Sequence, residues 1–148
     1  MTTLHSALLP RSPHAGAAAL YKSLMKEYVS SFGNTDVRFL SENRTDLKID
    51  GIHFSLSHMP KVDWRALQIS AVALEIQPGQ EAALYQTLLA SNFHLHSKGC
   101  PVLALAPQEP LVLALMRLPL RQTTAPMLAN VLNTMVQAVM ELRSELVK

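Results

Sequence analysis

Apolar positions recur at two different periods along this chain, and the changes of period divide it into elements. From residue 13 the period is helical: Leu20, Leu24, Tyr28 and Phe32 follow one another every four residues, and Tyr21 and Met25 widen the stripe. Ser12-Pro13 offers an N-cap and a proline at the first helical position, where its missing N–H costs nothing, and Gly33-Asn34 offers a terminator. The spacing predicts a helix over 13–32. Thr35 to Asp46 is polar and mixed, with Val37, Phe39 and Leu40 expected as a short extended segment packed under that helix.

At Leu47 the period becomes two. Leu47 and Ile49, then Ile52, Phe54 and Leu56, then Leu67, Ile69, Ala71 and Ala73 alternate with polar neighbours, which predicts three antiparallel strands. Turn signals stand between them at Asp50-Gly51 and Met59-Pro60-Lys61, and Pro78-Gly79 ends the third. A second helix is predicted from about Gln80 to Phe93, closed by Lys98-Gly99. A hairpin follows, Pro101–Ala106 and Leu111–Leu118, its connection restricted by Pro107 and Pro110. The run from Leu111 to Met116 is apolar on both faces, as in a strand covered on both sides. One face can meet the chain's own helices and the other a partner. Thr123 or Thr124 then caps a last helix whose stripe is Leu128, Val131, Leu132, Met135, Val139, Leu142 and Leu146. The expectation is an α+β fold in the order helix, three strands, helix, two strands, helix.

Composition narrows what such a fold does. With 148 residues the chain can bury one proper core, so a single domain over 1–148 is expected, with 1–12 as a flexible N-terminal extension. Hydrophobic residues are 49% and charged ones only 16% of the total, against about a quarter charged in ordinary soluble domains, so some apolar surface calls for cover by another chain. Thirteen basic residues against eleven acidic ones are scattered along the chain, which argues against nucleic acid as a partner. The N-terminal stretch lacks the pattern of a signal peptide and no apolar run approaches the ~20 residues of a membrane span, so no membrane insertion is expected. One cysteine, Cys100, excludes an intrachain disulfide and fits a reducing compartment.

The order of elements resembles that of the type III secretion chaperones of the Tir chaperone (CesT-like) family. Local resemblances lie in the second half. Leu88-Leu89-Ala90-Ser91-Asn92-Phe93 is similar to the end of the family's second helix. Leu113 to Leu120, ending Arg117-Leu118-Pro119-Leu120, is similar to its last strand, and the terminal Glu141-Leu142-Arg143 fits its final helix. The resemblance implies a homodimer of the bacterial cytoplasm, joined around the second helix and the last hairpin. It would bind the unfolded N-terminal segments of secreted effector proteins in an extended form, without ATP and without a cofactor, and the secretion ATPase would be a further contact. Members of the family are usually acidic, whereas this chain has a calculated pI near 8.9. That departure bears on which clients it prefers.

The candidate client-binding residues are Leu20, Leu24, Tyr28, Phe54 and Leu56, since pockets between the first helix and the sheet can take alternate apolar side chains of an added strand. The candidate dimer contact is Leu84, Leu88, Phe93, Leu113 and Leu115, because a two-faced hairpin needs a second cover. Ordinary core packing accounts for each of these residues as well. His94-x-His96, with His53 and His58 elsewhere, lacks the cysteines or carboxylates that complete structural metal sites, so no metal is expected. Cys100 has no recognisable base and orienting group beside it, and no nucleophile elbow, phosphate loop or paired-carboxylate motif is present, so no catalytic residue is assigned. A regulatory protein-binding module on the same scaffold, sequestering a secretion or transcription regulator, is the alternative function.

Overall fold

A computed structural model describes residues 13–32, 36–97 and 101–147. The first helix, α1 (Pro13–Phe32), has the predicted bounds; its flanking Ser12 and Gly33-Asn34 signals lie outside the described residues, as do the 1–12 extension, Lys98-Gly99 and Cys100. Four strands follow: β1 (Val37–Ser41), β2 (Arg44–Ile49), β3 (Ile52–Ser57) and β4 (Ala66–Glu75). Between β3 and β4, Pro60 opens a one-turn helix, α2 (Pro60–Asp63), where the sequence predicted only a turn. Then come α3 (Glu81–Ser97), β5 (Val102–Leu105), β6 (Leu111–Pro119), a 3-10 turn at Leu120–Gln122, and α4 (Ala125–Val147). Thr124 starts α4, its Oγ1 accepting from the amide of Met127 at 3.3 Å.

All six strands form one antiparallel sheet in the order β1-β2-β3-β4-β6-β5. The β2–β3 hairpin turns at Asp50 and Gly51, both with positive φ (51° and 80°), the backbone that a two-residue connection between twisted strands needs. Alternation then sets the faces. Leu47, Phe54, Ile69, Ala71, Val112 and Ala114 point to one side, where they meet Tyr21, Leu24, Met25 and Tyr28 of α1 and Leu128, Leu132, Met135 and Val139 of α4. These residues belong to one buried cluster.

Two polar anchors lie inside it. The Tyr21 hydroxyl donates to the Leu56 carbonyl at 2.8 Å, so its contact with Thr45 Oγ1, also 2.8 Å, has the threonine as donor. Desolvation raises the Tyr21 phenol above its ordinary value, against the lowering effect of the Thr45 bond. Near the C-terminus of α4, Arg143 donates to the carbonyls of Ala73 (2.7 Å) and Val72 (3.2 Å), where the pairing of β4 with β6 slips between Val72 and Leu74. The bulge frees those carbonyls from the ladder, and the guanidinium satisfies them.

One expectation is corrected here. Residues 37–41 are extended, and Val37 packs half-buried against the core, but Phe39 and Leu40 do not: they lie on an edge strand, 57% and 53% exposed. A bulge between Phe39 and Ser41 turns Leu40 out of alternation, and α1 spends its apolar stripe on β2, β3 and β4.

Candidate protein-binding surface

A six-stranded open sheet has two edges, and here they differ chemically. Along β5, the amide of Ala106 donates to the Leu111 carbonyl, which fixes the phase of the hairpin: in antiparallel pairing, Ala104 and Val102 then exchange bonds with β6 while Leu103 and Leu105 point outward. The outward groups of Leu103 are taken. Asn92 of α3 donates from Nδ2 to the Leu103 carbonyl at 2.9 Å and accepts the Leu103 N–H on Oδ1 at 2.6 Å, so one side chain supplies both bonds of a strand partner. Along β1 no described strand or helix pairs with the outer side. An unpaired edge of this kind is a template for another chain, and beside it Phe39 and Leu40 expose apolar surface.

The sequence-derived client residues separate sharply in this arrangement. Leu24, Tyr28, Phe54 and Leu56 are buried in the chain's own core and leave no surface for a client; burial also raises the Tyr28 phenol. Only Leu20 is exposed, at 41%. The exposed apolar positions on this side that the periodicity did not single out are Phe39 and Leu40, two adjacent large side chains in an otherwise polar stretch, and that adjacency was the available signal.

A second apolar surface lies at the other side of the molecule. On α3, Tyr85, Leu89 and Phe93 recur every four residues and face solvent, Leu89 72% and Phe93 77% exposed. On the sheet face away from α1, exposed Leu115 of β6 pairs in register with exposed Val102 of β5, and half-buried Leu113 with Ala104. Of the expected dimer residues, Phe93, Leu115 and half-buried Leu113 belong to this surface. Leu88 is core, and Leu84 is half-buried against it, because α3 turns those positions toward the sheet. The second face of the hairpin is thus only partly covered within the chain, as its two-faced pattern predicted.

The histidines whose side chains are described, His53, His58 and His94, do not converge. His53 is exposed on β3, His94 is exposed on α3, and buried His58 donates from Nε2 to the Trp64 carbonyl at 2.9 Å while stacking on Tyr21. Among the described residues no three His, Cys, Asp or Glu side chains come together as metal ligands, and no helix is long and apolar enough to cross a membrane.

Among the described residues, then, the sheet keeps an edge at β1 with no paired strand, and large apolar side chains are exposed in two separate places. A family model described as the Tir chaperone protein (CesT) family matches residues 23–143. The chain belongs to that family. As a member it is a type III secretion chaperone, and the family is one of chaperones, not of enzymes. No curated protein sequence matches the chain. Its fold is similar to solved structures of this class. A chain of the HopA1–SchA chaperone–effector complex superposes with a TM-score of 0.72 at 19% identity, covering 91% of this chain and 99% of that one. A chain from the complex of the Yersinia pestis type III secretion chaperone SycH with a stable fragment of YscM2 gives 0.61 at 23% identity, covering 82% and 98%. A chain of the ExsC–ExsE complex gives 0.62 at 15% identity, covering 84% and 89%.

Proposed function

We propose that this Tir-family chaperone binds the N-terminal segments of secreted effectors in the bacterial cytoplasm, holds them extended, and does so as a homodimer without ATP. The observation that carries the reading is the difference between the sheet edges: Asn92 occupies both outward backbone groups of Leu103 on β5, while the outer side of β1 has no described strand paired with it and lies next to exposed Phe39 and Leu40. An extended client segment added at β1 gains main-chain hydrogen bonds, and alternate apolar side chains gain contact with those two residues. Each well-buried Leu or Ile of the client contributes on the order of 1.5–3 kcal/mol before ordering costs, so a few anchors hold a segment that never folds.

The surface of Leu89, Phe93, Val102, Leu113 and Leu115 is the proposed contact between two copies, revised from the sequence-derived set by replacing Leu84 and Leu88 with Leu89 and Val102. Two anchoring aromatics, Tyr85 and Phe93, suit the centre of such an interface.

The test is affinity capture of the tagged chain from its native bacterium under secretion-inducing conditions, with truncation mapping of each partner. The expected result is one or more secreted proteins bound through roughly their first hundred residues, a stretch long enough to wrap a large surface while unfolded. Capture of folded partners alone, with dispensable N-termini, overturns it in favour of a regulatory module.

A further inference from the structure

A cavity of about 330 Å³ opens at the end of the sheet where β6 passes into the 3-10 turn. Its floor is apolar: buried Ala17 of α1 and Leu120, whose amide is tied to the Arg65 carbonyl at 2.8 Å, with half-buried Trp64 and exposed Leu20 as walls. Exposed Arg65 and Arg121 also line it. The guanidinium of Arg65 lies over the Trp64 ring, 5.1 Å from its centroid. Among the described residues neither guanidinium has a carboxylate partner; the nearby Asp63 pairs with Arg117 at 3.6 Å through Oδ2, and its Oδ1 accepts the backbone amide of Arg65 at 3.0 Å. Two guanidinium groups with no ion-pair partner among the described residues, beside an apolar hole, are complementary to an apolar side chain that has a carboxylate next to it.

The cavity shares an end of the sheet with the tip of β1. Ser41, Arg44, Ser57, Gln68 and Arg117 are successive partners in one row across β1, β2, β3, β4 and β6, and Ala66 and Pro119 lie two residues beyond that row. Strands about 4.8 Å apart put the cavity ~14–19 Å from the β1 edge, a gap that about five or six extended residues span.

We propose, on the client-binding reading above, that this cavity is a second client subsite, and that it selects a Leu-like side chain flanked by Asp or Glu about six residues beyond the segment paired with β1. The chain's basic balance, 13 Lys and Arg against 11 Asp and Glu, is then part of client choice, with acidic and apolar client segments favoured.

The test titrates the full chain with three short synthetic peptides, alike except at the residues flanking a central leucine: glutamate, glutamine or lysine. The glutamate peptide is expected to bind about tenfold more tightly than the glutamine one, as charge-assisted bonds to arginine allow, with the advantage fading as salt rises. In the Arg65→Gln/Arg121→Gln variant the two should bind alike, and Arg121→Glu should favour the lysine peptide. Both arginines are exposed, so an unchanged thermal unfolding curve verifies that the variants fold. Equal binding of the first two peptides to the native chain, binding of none, or discrimination that survives loss of both arginines each overturns the subsite. Capture of effectors from cells separates the two readings: if it succeeds while the peptides fail, only the subsite falls, and if it fails the chaperone reading falls with it.

Discussion

Tyr21 illustrates how much of this fold depends on single buried polar atoms. Its hydroxyl joins α1 to β3 through the Leu56 carbonyl and to β2 through Thr45, so one oxygen fixes the height of a helix over two strands. Tyr21→Phe keeps the ring and its packing but strands a buried threonine and a carbonyl, and a loss of about 1–3 kcal/mol in urea unfolding is expected. The same group sets an alkaline limit. Burial raises the Tyr21 and Tyr28 phenols above 10.0 in the folded chain, so the folded state keeps its protons longer than the unfolded one. That contribution is fully present below the unfolded value and is lost as pH rises through the folded one. Stability should be flat in this respect at neutral pH and fall above pH 10, less steeply in Tyr21→Phe; equal slopes in the two proteins would refute the assignment.

At the scale of elements, the two sheet edges make opposite predictions. Asn92→Ala removes both bonds to Leu103, so the amide of Leu103 should lose hydrogen-exchange protection and β5 should become available for pairing, seen as self-association at high concentration. Phe39 lies opposite Thr45, whose own backbone groups face β3, so the Phe39 N–H faces the open edge; Phe39→Pro removes that donor and should abolish client capture while changing the unfolding free energy by no more than about 1 kcal/mol, since the side chain is exposed. Wild-type capture by the Phe39→Pro chain would exclude strand addition there. The strands and helices themselves were legible because alternation and four-residue spacing follow directly from burial of one face: Leu47 through Ala73 needed no tertiary information. β1 was not legible as an open edge, because Phe39-Leu40 does not alternate and the bulge that explains it is a property of pairing with β2. The Asn92 contact was hidden for a related reason. It joins residues eleven apart through an outward-facing edge whose phase only the paired hairpin reveals.

The described residues leave large apolar side chains uncovered on α3 and on the β5–β6 face, and the position of that surface carries the proposed dimer. Periodicity identified Leu24, Tyr28, Phe54 and Leu56 as apolar but could not tell a groove from a core, since both ask for the same side chains; burial in the assembled chain separates them. The stripe of Leu89 and Phe93 was partly visible for the opposite reason, because a helix whose apolar residues go nearly all round has more faces than a single sheet can cover. Across it, Leu115 and Val102 extend the apolar patch onto the sheet. A stable dimer buries about 1,200–2,000 Å² in total, with energy concentrated in a few central aromatic and aliphatic anchors. Phe93→Glu, alone or with Leu89→Glu, places a carboxylate at that centre without touching the core. It should therefore yield a folded monomer with an unchanged circular dichroism spectrum and half the mass by light scattering. Charge at Leu20, exposed on α1 beside the arginine-lined cavity, should leave the proposed dimer intact and act on client binding alone. A Phe93→Glu chain that remains dimeric would move the interface elsewhere. A monomer that still captures full-length effector would show that each copy carries a complete client site, with the second copy adding avidity by linking two such sites.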